Sequence, residues 1–202
     1  VFGNGFIRTE NRKAHECPQL IKKTDRSVSD ALPVVYKSYS TGATTTFFVE
    51  NKSGAHIIIP VTLRATGDHC YVWIADANYT TASSTNSDEL ITASQASAIA
   101  SNFDMIYPKE TAVFGDVYDG TSKYKNIISP VDKISILVYD IDYDYSASLT
   151  GGTYGFFAPD DFTTNSTYSN QNEMFYIDAY FLDKVAAQVY STLAHEFQHM
   201  LN

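Results

Sequence analysis

Residues 182–200 carry two patterns at once, and a helix satisfies both. At about 100° per residue, Leu182, Ala186, Val189, Leu193 and Met200 fall in one narrow apolar stripe. His195 and His199, with Gln188, fall on a different flank. Asp183 to Asn202 is therefore predicted as a helix. Its stripe packs into a core and its histidine flank turns to a cleft.

Upstream the pattern changes to short β-type runs. Thr44 to Val49, His56 to Leu63 and Cys70 to Ile74 are three of them. Asn51-Lys52-Ser53-Gly54 and Thr66-Gly67-Asp68 supply turn chemistry between them. Residues 1–30 form a polar lead-in without a period. The Ser/Thr/Asn-rich stretch Tyr79 to Ser87 reads as a linker. A helix capped by Ser87 or Asp88 is expected to run through Phe103, with Pro108 as a natural stop. Lys133 to Asp140, Thr153 to Ala158 and Glu173 to Ala179 are further strands. The class is α+β, with a β-rich module over residues 1–80 and a second region over 81–202.

A length of 202 residues suits one full domain or two small ones. Hydrophobic residues at 44% and charged residues at 18% match a folded globular chain. The longest apolar run, around Ile134 to Tyr139, is of strand length, so no membrane span is expected. The net charge of −9 argues against nucleic acid as a partner and suits a solvated extracellular protein. The chain opens on Val1, as a processed secreted chain or a trimmed one would. Cys17 and Cys70 form no Cys-x-x-Cys unit, which disfavours zinc at this pair. Outside the cell they read as one disulfide closing a loop of about 50 residues, worth about 4 kcal/mol, the alternative being two buried thiols.

The histidine flank carries the chemistry. His195-Glu196-Phe197-Gln198-His199 places two imidazoles one turn apart, where both ring nitrogens can reach one zinc ion at about 2.1 Å. Glu196 sits between them as the general base, and zinc lowers the pKa of water toward about 7.

Around this segment, Ala194 to Met200 resembles the hyicolysin-type family of secreted bacterial zinc metallopeptidases. Gly152 to Phe157, Met174 to Asp178 and Gly67 to Trp73 also resemble that family. The likeness thus extends over most of residues 45–202. It implies a zincin-like α+β peptidase domain behind the β-rich module, Zn²⁺ as cofactor, and protein or peptide substrates. His195 and His199 would be metal ligands and Glu196 the catalytic base. In zincins a strand edge before the active helix holds the substrate backbone, and Met174 to Ala179 is the candidate.

A catalytic zinc needs three protein ligands. A His-x-x-Gly-x-x-His continuation is disfavoured, because Asn202 stands at its glycine position. The remaining zincin pattern supplies a Glu from a following helix. The chain is then expected to be a peptidase domain truncated after its active-site helix, inactive alone, with its own missing C-terminal part as a partner. The upstream alternatives are His15, His56 and His69, each of which suits a surface or strand position better.

Asp140, Asp142 and Asp144 alternate and could offer oxygen to Ca²⁺, with Asp116 and Asp119 contributing. An EF-hand would need Gly at 145 and Glu at 151, where the sequence has Tyr145 and Gly151, so a solvated strand end is the favoured reading. Asn51, Asn78 and Asn165 begin glycosylation sequons. These, with 15 tyrosines, support the rival class: a noncatalytic secreted binding or adhesion module, or an inactive zincin relative.

Overall fold

A computed structural model of the chain describes residues 38–81, 90–119, 126–141 and 151–201. Strands β1 (Thr44–Glu50), β2 (His56–Thr66) and β3 (Cys70–Ala75) form an antiparallel meander. The Asn51 side chain builds the first turn by accepting the N–H groups of Ser53 and Ala55 at 3.0 and 3.1 Å. At the second turn the Asp104 carboxylate accepts the N–H groups of Asp68 and His69, both at 2.9 Å. A Cβ on Gly67 would lie 2.6 Å from an Asp104 oxygen, so any larger residue there would push the Asp104 carboxylate aside.

Helix α1 (Ala93–Phe114) then crosses over to β4 (Ile134–Tyr139), which lies parallel to β3. β5 (Gly155–Phe157) and β6 (Met174–Asp178) follow, and the chain closes with α2 (Ala179–Lys184) and α3 (Ala186–Leu201). The six strands make one sheet in the order β1-β2-β3-β4-β6-β5. It runs across residue 80, since β3 and β4 on either side of that expected boundary are hydrogen-bonded neighbours.

One face is covered by the helices, over a core that includes Val72, Ile74, Ile136, Phe175 and Ile177 with Ile99, Phe103, Leu193 and Phe197. The opposite face carries a second core, with Leu63, Trp73, Leu137, Tyr139 and Tyr176. Every residue of β3, β4 and β6 is buried, which explains their continuous apolar runs. Each large side chain so buried contributes about 1.5–3 kcal/mol. The sheet is strongly curled. Asn170, from the segment before β6, reaches the far strand β1, accepting the Phe48 N–H at 2.7 Å and donating to the Phe48 carbonyl at 2.9 Å.

Several expectations need correction. Ser87 and Asp88 lie outside the described residues, and α1 is capped by Thr92. Thr92 and Gln95 form a capping box: Gln95 N–H donates to Thr92 Oγ1 at 3.2 Å and Thr92 N–H to Gln95 Oε1 at 2.9 Å. Pro108 does not stop the helix. An interior proline costs about 3 kcal/mol. Here the turns around it are held by stacking: the Tyr107 ring lies 3.9 Å from His69 and 5.3 Å from Phe197. The final helix is broken at Val185, where φ is −140° and ψ 51°. Asp178 starts α2 by accepting the Phe181 N–H at 2.9 Å. β6, expected as the substrate-binding edge, is an interior strand between β4 and β5, and the edge is β5.

Candidate metal centre

The buried side of α3 consists of Val189, Thr192, Leu193, Glu196, Phe197, Met200 and Leu201. Phe197 anchors it to α1, with its ring centroid 5.0 Å from that of Phe103. A second anchor is closeness to β5. A Cβ on Gly155 would lie 2.6 Å from the Tyr176 carbonyl oxygen and 2.9 Å from Thr192 Cγ2. Glycine there lets helix and strand touch.

This contact decides where Glu196 goes. One turn beyond Thr192, it is only 3% exposed, and its carboxylate accepts the backbone N–H of Phe157 in β5. Burial pushes the carboxyl up to about 7, and the Phe157 N–H pulls the other way. His195 and His199 lie on the exposed flank, as the helical spacing predicts. Their Nε2 atoms are 3.1 Å apart, and the rings stand at 86° to each other. Burial, and then the charge of His195, hold His199 below the usual histidine range.

Two nitrogens at tetrahedral positions around zinc, each about 2.1 Å from it, would be about 3.4 Å apart. The observed pair therefore fits two corners of such a site with a few tenths of an ångström of adjustment. Among the described residues, no three His, Cys, Asp or Glu side chains gather to hold a metal. His56 stacks on Tyr168 at 4.0 Å and His69 on Tyr107, so each is engaged with an aromatic ring. His15 lies outside the described residues.

Of the other candidates, only some lie among the described residues. Asp140 is buried at the end of β4, while Asp142 and Asp144 lie outside the described residues. Cys70 is buried with no disulfide partner among the described residues, and burial pushes its thiol up to about 12. Its expected partner Cys17 lies outside the described residues. Asn78, the first residue of its sequon, is buried, with its side chain accepting the Asp140 N–H at 3.2 Å. What sequence reasoning missed is the Phe157 N–H. Gly155, a lone glycine inside a strand, was the available signal of a close backbone approach.

The chain is similar to a metalloprotease. It is 38% identical over 149 residues to the neutral metalloprotease ShpI of Staphylococcus hyicus, an alignment covering 69% of this chain. The chain spans 28% of that protein's length. No protein-family model matches the chain. Among the described residues, no helix is long and apolar enough to cross a membrane.

Proposed function

We propose that this chain is part of a zinc-dependent endopeptidase of the zincin type, with His195 and His199 as two metal ligands and Glu196 as general base. The observation that carries the reading is the pair of Nε2 atoms 3.1 Å apart on the exposed flank of α3, with Glu196 between them in sequence. The similarity to a metalloprotease supports it. Zinc, when bound, supplies a Lewis acid that brings water to a usable pKa at neutral pH. Glu196 receives the proton, and the Phe157 N–H orients its carboxylate. β5, the edge strand lying on α3, is the strand to which an extended protein or peptide substrate adds. The third ligand comes from outside the described residues, and the relative's greater length leaves room for it. A secreted protein acting outside the cell completes the proposal.

The test uses the whole protein, with bound zinc measured beside peptide hydrolysis. His195→Ala and His199→Ala are expected to lose the metal. Glu196→Gln keeps the metal, while turnover falls by at least about 10²-fold. Full zinc occupancy in the double histidine variant, or unchanged turnover in Glu196→Gln, overturns the assignment.

A further inference from the structure

A cavity of about 210 Å³ opens between the two edge strands of the sheet. Phe48, Val49 and Glu50 of β1 form one wall, and Phe156, Phe157 and Ala158, in and just after β5, form the other. Its volume is below the roughly 300–1,000 Å³ of a site for a whole small molecule, and suits a single side chain.

Its lining is aromatic and acidic. The Phe156 ring is stacked on Tyr176 at 4.3 Å, giving a flat apolar wall. Tyr168 stands at the rim, edge-on to Phe48 at 5.7 Å. Glu50, Asp160 and Asp161 bring three carboxyl groups, and no lysine or arginine is among the lining residues. His56 lies 3.8 Å from Glu50. Asp161 is 3% exposed and held by neutral donors: the Tyr176 hydroxyl at 2.5 Å and the Asn170 N–H at 2.7 Å. Burial pushes its carboxyl up to about 6, so its charge at neutral pH is held at a cost that a cation would offset.

The geometry points to a site for an arginine side chain, its guanidinium stacked on the Phe156–Tyr176 wall and paired with the carboxylates. A guanidinium is planar and weakly hydrated, stacks on aromatic faces and pairs with carboxylates, and the lining supplies both an aromatic face and carboxyl groups. The placement also deepens the peptidase reading, on which this one point rests. In a strand added to β5, successive side chains face opposite sides of the sheet. A side chain of a strand running beside Phe156 and Phe157 is within reach of the cavity they line.

Binding can be tested without catalysis, by titrating N-acetyl-arginine amide into the whole protein and reading the heat of binding. Saturable binding is expected, with N-acetyl-citrulline amide, the neutral isostere, weaker by at least about tenfold. The double substitution Glu50→Gln with Asp160→Asn, both at incompletely buried positions, should weaken binding comparably. His195→Ala should leave it unchanged, so failure of the zinc assignment would not remove this signal. No saturable binding, equal binding of the citrulline derivative, an unaffected double variant, or loss of binding in His195→Ala would each overturn the site.

Discussion

Glu173 opens β6 with 1% of its surface exposed, and its Oε1 has no hydrogen-bond partner among the described residues. Burial pushes its carboxyl from 4.5 up to about 8, and the Val131 N–H offsets this only in part. The folded chain therefore holds more protons than the unfolded chain between these values. Stability from this residue is fully present below about pH 4.5 and is lost as pH rises toward about 8. Glu173→Gln keeps the shape and removes the titration. Urea unfolding of both proteins at about pH 5 and about pH 8 should show the wild type losing more stability across the interval. Parallel pH profiles would show that Glu173 reaches water in the native state. The pattern of an apolar strand gave no sign of this carboxyl, because its burial comes from α1, β4 and β6 meeting rather than from its neighbours in the chain. That His195 and His199 share one exposed flank of α3 was legible for the opposite reason: a spacing of four on a helix is a local relation.

At the scale of elements, strands were read to within a few residues, since each is an apolar run bounded by turn residues. Pro108 misled because a local penalty is tolerated in a helix that long-range contacts also hold, among them the stacking of Tyr107 on His69 and Phe197. Which strand forms the edge could not be read, because pairing order is a long-range property. The contact of β5 with α3 is another such relation, and Gly155 tests it. Gly155→Ala places a methyl group against the Tyr176 carbonyl oxygen and Thr192 Cγ2. The helix must shift, at a cost of about 1–3 kcal/mol. Chemical denaturation should register the loss, and the Phe157 amide resonance should move as its bond to Glu196 is disturbed. Wild-type stability with an unmoved Phe157 resonance would mean that helix and strand are not in contact at this point.

Across the whole molecule, a curled sheet with two cores leaves β1 as one of two edges. β1 reads Thr-Thr-Thr-Phe-Phe-Val-Glu, a β-prone segment with one charge at its end. Exposed edges of this kind recruit other chains. Here the Asn170 side-chain amide, with its acceptor oxygen and donor nitrogen in a single group, occupies both backbone positions of Phe48 as a neighbouring strand would. This arrangement predicts that one side chain protects this stretch of β1 from pairing with another chain. Asn170→Ala should uncover this stretch of β1, and light scattering should show particle size growing with protein concentration while the wild type stays monodisperse. Equal solubility of the two proteins would assign the protection of this edge to other groups.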